Sequence, residues 1–181
     1  MEINGYVSGI RPRRAGKTIV VEVSISTLSG ESYEAVLHDP PDWLEIGSKI
    51  TCKIEQIPGR QGVTSVISEL KLSLTLPDIT QVELSVESVR ETPDGSLVVE
   101  GRREGGGFFS YLLKPENAVI DTASLPCRAV ALKTLQTGAD RVIAIIPVKN
   151  LQIMRRAKEL MMQLKREEEH RPELEFLPGP P

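Results

Sequence analysis

Four cations crowd seven residues near the N-terminus: Arg11, Arg13, Arg14 and Lys17, in the run Arg11-Pro12-Arg13-Arg14-Ala15-Gly16-Lys17. No acidic residue lies between Glu2 and Glu22. Guanidinium forks match phosphate oxygens two at a time, and Gly16 lets a backbone come close. The chemistry this points to is phosphodiester binding; a hairpin tip charged for solubility is the plainer reading. The Gly16-Lys17-Thr18 run lacks the upstream glycine of a P-loop, so it is not a triphosphate cradle of that kind.

A second cluster, Arg102-Arg103-Glu104-Gly105-Gly106-Gly107-Phe108-Phe109-Ser110-Tyr111, joins two arginines, a glycine turn and three aromatics. Flat aromatic faces beside cations are what unpaired bases stack on. Alternation along a strand puts Phe109 and Tyr111 on one face and Phe108 on the other. One set belongs to a core. An outward Phe108 is the stacking candidate, ahead of Tyr33 and Tyr6, and a long hairpin with ordinary core aromatics is the competing reading.

Catalytic readings find little support. His38 and His170 are the only histidines, and neither has metal-ligand spacing around it. No serine or cysteine sits in a nucleophile motif. Cys52 and Cys127 are too few for a disulfide framework or a zinc site, and each reads as a small buried hydrophobe in a strand. Trp43, beside Pro40-Pro41, reads as the plug of a barrel end. The expectation is a non-enzyme with no cofactor and no metal. Net charge is −3, and acids nearly balance bases in each part of the chain, so any anion site is a local patch. Nothing reads as a leader or a membrane span, and a cytoplasmic protein is expected.

The elements that must position these residues are written twice. Val7-Ser8-Gly9-Ile10-Arg11, a polar turn and Thr18-Ile19-Val20-Val21-Glu22-Val23 return as Val86-Glu87-Ser88-Val89-Arg90, a turn and Ser96-Leu97-Val98-Val99-Glu100-Gly101, 79 residues on. Gly62 to Ile67 is answered by Gly138 to Ile143, 76 residues on. Ile19, Val21, Val23 and Ile25 alternate with Val20, Glu22, Ser24 and Ser26, the period of a strand with one buried face. Gly5 and Gly9 mark a bulge or bend in the first strand. Strands are expected near 3–10, 18–28, 33–37, 49–57 and 63–70, with a break at Asp39-Pro40-Pro41-Asp42. The second set falls near 82–90, 96–102, 107–114, 127–134 and 140–147, with the insert Pro115 to Ala123 at the break. Aromatics are only 4% of the chain, so Val, Ile and Leu must build the cores.

From Asn150, an acceptable N-cap, the period changes. Leu151, Met154, Ala157, Met161 and Leu164 fall on one helical stripe. Packing within the chain is the default. Met154, Met161 and Leu164 are also the candidates for contact with a protein partner or a second copy, because thioethers adapt to varied surfaces. Arg171-Pro172 ends the helix and leaves a tail at 172–181, whose acidic then Phe-Leu-Pro composition resembles the tails of bacterial single-strand-binding proteins.

The run Gly5-Tyr6-Val7-Ser8-Gly9-Ile10, the long strand after it, and Leu44-Glu45-Ile46-Gly47-Ser48-Lys49-Ile50 leading into the fourth strand resemble the OB superfamily, in the style of TOBE or molybdate-binding domains. The Ser-Ala-Arg-Asn signature of molybdate modules does not precede Gly5. The resemblance implies five-stranded barrels at 1–76 and 77–149, followed by a helix at 150–171: an all-β fold of two tandem OB-like barrels with a C-terminal amphipathic helix. The two clusters carried on such barrels lead to the expectation of single-stranded DNA or RNA binding through Arg11, Arg13, Arg14, Lys17, Arg102, Arg103 and Phe108. A protein-interaction subunit of a larger assembly, held by the helix and the barrel edges, is the alternative. A small-ligand site between the barrels is a third reading.

Overall fold

The computed structural model describes residues 1–135 and 141–170. Strands β1 (Glu2–Ala15), β2 (Thr18–Ser26), β3 (Ser32–Leu37), β4 (Lys49–Gly59) and β5 (Gly62–Leu72) close into a barrel in the order β1-β2-β3-β5-β4. Every neighbouring pair is antiparallel except β3 and β5, which meet in parallel at Val36 and Val66. The alternating apolar residues point inward as the period requires: Val21, Val23, Ile25, Ile50, Cys52 and Ile54 are all buried. Leu44 and Ile46 close one end of this core, while Trp43 stays 37% exposed; the expected tryptophan plug is a leucine.

β1 is longer than its apolar pattern suggests. Arg11 to Ala15 continue it, paired residue for residue with Glu22 to Thr18. Only β2 pairs with this half of β1, which is why Pro12 is tolerated within a strand. The expected basic loop is therefore mostly strand, and the turn itself is Gly16-Lys17 with Gly16 at φ 64°.

The second unit repeats the plan. Strands β6 (Ile79–Glu91), β7 (Leu97–Arg103), β8 (Phe108–Leu113), β9 (Cys127–Thr134) and β10 (Val142–Pro147) form one sheet in the order β10-β9-β6-β7-β8. This is the neighbour order of the first unit with one contact missing: β8 and β10 are not hydrogen-bonded to each other. The repeat extends to irregularities. Between Val7 and Gly9 the β1–β2 register shifts, and the β6–β7 register shifts between Val86 and Ser88. The β4–β5 shift at Lys53/Ile54 skips Ser68, and the β10–β9 shift at Leu132/Lys133 skips Ile143. Two bulges at matching places give the two units the same strand plan in detail. In this register Ala131, not Cys127, holds the place of Cys52. Cys52 is buried and Cys127 only half-buried.

One core fills the barrel and extends over Val130, Leu132, Ala144 and Ile146 on the outer face of β9 and β10, while Leu84, Val86, Val99, Phe109, Ala129 and Ile145 line the second sheet's own hollow. β9 and β10 are thus buried on both faces, which explains their unbroken apolar runs. Helix α1 (Val148–His170) starts two residues before the expected Asn150 cap, directly from Pro147, whose fixed φ suits helix entry. No described helix is long and apolar enough to cross a membrane. The tail at 172–181 lies outside the described residues.

Candidate nucleic-acid interface

Beyond the barrel wall, β1 with β2 and β4 with β5 run on as two ribbons, paired as far as Ala15 with Thr18 and Gly59 with Gly62. Between them lies a groove of about 610 Å³, floored by Glu34, Ala35 and Val36 of β3 and walled by Arg13, Glu22 and the Gly59–Ser65 ribbon. Arg60 on the second ribbon is a wall residue that the charge pattern of the first did not suggest; the signal was Pro58-Gly59-Arg60, an arginine at a hairpin tip.

Cross-strand acids change the reading of the basic run. The Arg11 guanidinium lies 3.2 Å from Glu22, 2.9 Å from Glu34 and 3.1 Å from the Ser24 hydroxyl. Arg13 lies 3.4 Å from Glu22. Arg11 and Arg13 are thereby paired with two carboxylates of the groove, Glu34 on its floor and Glu22 on its wall. Arg14, Lys17 and Arg60 have no acidic partner among the described residues. Lys17 faces a separate hollow beside His38, Asp39 and the end of α1.

The second cluster lies at the other end of the repeated unit. The β7–β8 turn corresponds to the β2–β3 turn, and successive turns of a meander fall at opposite strand ends. The seven expected residues are thus divided between two surfaces. Phe108 points outward, 75% exposed, while Phe109 is buried and stacks on Tyr111 with ring centroids 5.2 Å apart. The Arg102 guanidinium lies 5.4 Å from the Phe108 ring centre and 3.2 Å from Glu87. Arg103 donates to the Tyr111 hydroxyl at 3.4 Å. Leu112, 65% exposed, and the half-buried Val98 continue the apolar surface along the same face. Glu104, hydrogen-bonded to Glu83, has its carboxyl held above the usual range, with Arg128 pulling the other way.

The weaker stacking candidates are occupied. Tyr6 is fully buried, and its hydroxyl donates to the Pro77 carbonyl at 2.6 Å. Tyr33 donates to Glu31 at 2.6 Å. Of the helix candidates, Met161 is 6% exposed within the chain's own core, so burial removes it from any partner surface. Met154 is half-buried and its sulfur accepts from the Ile10 amide at 3.5 Å; Leu164 is exposed.

Between the units, the Ser26 hydroxyl donates to Asn117 Oδ1 at 2.7 Å and Asn117 Nδ2 donates to the Gly30 carbonyl at 3.0 Å. These buried bonds fix the insert against the barrel beside a pocket of about 280 Å³. Among the described residues no three of His, Cys, Asp and Glu converge as metal ligands. No protein-family model, curated protein or solved structure matches the chain.

Proposed function

We propose that the chain binds single-stranded nucleic acid without catalysis, and that both units are OB-type barrels, the second left open. What supports the reading is Phe108, three-quarters exposed beneath Arg102 on the outer face of β7 and β8. In OB folds the matching second and third strands carry the oligonucleotide. One face of the ring meets the guanidinium, and the other is free to take a base. Arg103 lies one residue along. Arg14, Lys17 and Arg60, which lack acidic partners, supply the phosphate contacts on the barrel's ribbons; Arg11 and Arg13 hold the groove floor together.

Fluorescence anisotropy with a mixed-sequence oligonucleotide at low salt tests this. Phe108→Ala should weaken binding by roughly 5- to 150-fold, the effect of about 1–3 kcal/mol of base stacking. Arg14→Gln and Arg60→Gln should each lower the salt slope by about one. Absence of binding at tens of micromolar, within the usual range for non-specific complexes, ends the reading.

A second reading, an assembly subunit, is favoured by β8 itself. It is an edge strand without a charged residue, FFSYLL, and it exposes Phe108 and Leu112. Natural edges normally carry a charge or proline against pairing. Binding to a partner strand would survive high salt, and oligonucleotide binding would not.

A further inference from the structure

We infer that α1 is a self-association surface, on which a second copy of this chain pairs antiparallel. The helix carries two apolar lines. One, Leu151, Met154 and Met161, packs on the barrel and β9–β10. The other is Ile153, Ala157, Leu160 and Leu164, at spacings of four, three and four, which places all four on one side of a helix. Among the described residues, its three large side chains stay open: Ile153 is 57% exposed, Leu160 44% and Leu164 46%, with the small Ala157 half-buried between them. Exposed apolar side chains scattered singly need no explanation, but three turns in register are the seam of a helix pair.

Charge selects the occupant. The line begins with Lys149 and ends with Glu167 and Glu168, and none of the three has an ion-pair partner among the described residues. Parallel pairing would set the acidic ends against each other. Antiparallel pairing, with Ile153 on Leu164 of the second copy and Ala157 on Leu160, sets Lys149 against Glu168 at both ends of the seam. It also corrects two unfavourable placements. Acids at a helix C-terminus and a lysine at its N-terminus each oppose the helix dipole, and the second copy brings the opposite charge and the opposite dipole end to each. The same surface on both partners closes on itself, so the product is a dimer and not a filament.

The full-length protein in sedimentation equilibrium over a concentration series gives the test. The mass should rise with concentration from 19.9 kDa toward twice that value. Leu160→Glu should weaken association by at least about tenfold. Its far-UV circular dichroism should not change, since Leu160 is exposed; Ile153→Lys serves as a second variant. Lys149→Glu and Glu168→Lys should each weaken the dimer, and the double variant should restore it. A chain that stays monomeric throughout, a dimer indifferent to Leu160→Glu and Ile153→Lys, or a double variant no better than either single one overturns the inference. A dimer lost instead on substitution of Phe108 and Leu112 would assign self-association to β8.

Discussion

The barrel and the open sheet meet the same steric demand with glycine on opposite strands. Next to the shared bulge the first two strands of each unit cross so closely that one must lack a side chain. In the barrel it is the first: a Cβ on Gly5 would lie 2.7 Å from the Ile25 side chain and 2.9 Å from the Ser26 carbonyl oxygen. In the second sheet it is the second strand: a Cβ on Gly101, at the position of Ile25, would lie 1.9 Å from the Ser85 carbonyl oxygen. The two units share the bulge, while the glycine beside it sits on the first strand in one and on the second strand in the other. Geometry, not identity, is what the two copies hold in common.

Closure divides them at one seam. The barrel is sealed where Val36 of β3 meets Val66 of β5. The place of Val66 in the second unit is the start of β10, and there the chain is engaged elsewhere. The Arg141 guanidinium donates to the Leu28 carbonyl at 2.7 Å, and its own carbonyl accepts from the Thr134 amide at 2.9 Å. β10 is six residues against eleven in β5, and it passes directly into α1. The second sheet gives up its seam to dock on the first.

The largest expected effect tests the crossing. Gly101→Ala forces a methyl group into the Ser85 backbone and should cost about 3 kcal/mol or more, measured by urea unfolding. Gly5→Ala should cost about 1–3 kcal/mol, because its overlaps with the Ile25 methyl group and the Ser26 carbonyl oxygen, at 2.7 and 2.9 Å, are shallower than the 1.9 Å overlap at Gly101. Equal costs would break the comparison.

The cysteines give a smaller contrast. Cys52→Ser buries a hydroxyl in the barrel and should cost about 1–3 kcal/mol. Cys127→Ser, half-buried at a strand end, should fall within about 0.5 kcal/mol. Burial pushes the Cys52 thiol up to about 11, so alkylation at pH 8 should modify Cys127 first. Faster labelling of Cys52 would mean that the barrel opens more readily than the sheet.

Tyr6 ties the barrel to the linker, where the second unit has Ser85. Tyr6→Phe removes one hydrogen bond and should cost about 1 kcal/mol. Burial first, then the charge of Asp78, raises the phenol above its ordinary value of 10.0. A raised phenol keeps its proton longer in the folded state than in the unfolded one. Its stabilisation is complete below pH 10 and is lost as pH rises through the folded value, and Tyr6→Phe should remove that alkaline decline.

The strands, the turns, the opposition of Phe108 to Phe109 and Tyr111, and the helix were legible in residues 1–170 because each rests on side-chain period or turn chemistry over a few residues. Val21, Val23 and Ile25 face inward by alternation alone, and the glycines near the bulge announced a bend. The single helical stripe read from the spacing, Leu151 with Met154, Ala157, Met161 and Leu164, divides in the structure: Leu151 and Met161 are buried, while Leu164 stays exposed beside Leu160 and Ile153. Other features depend on which strands become neighbours. Arg11 looked free because Glu22 and Glu34 are eleven and twenty-three residues away, yet pairing of β1 with β2 and β2 with β3 brings both carboxylates onto it. Trp43 gave way to Leu44 at the barrel end, and β9 and β10 showed their double burial only as unbroken apolar runs.

Sequence alone determined the repeated unit, because side-chain alternation and turn chemistry act between residues a few positions apart. Tertiary structure decided which cations remain unpaired, which unit closes and what Arg141 holds. Each of those depends on contacts between residues far apart in the chain, where a local pattern carries no information about who the neighbour will be.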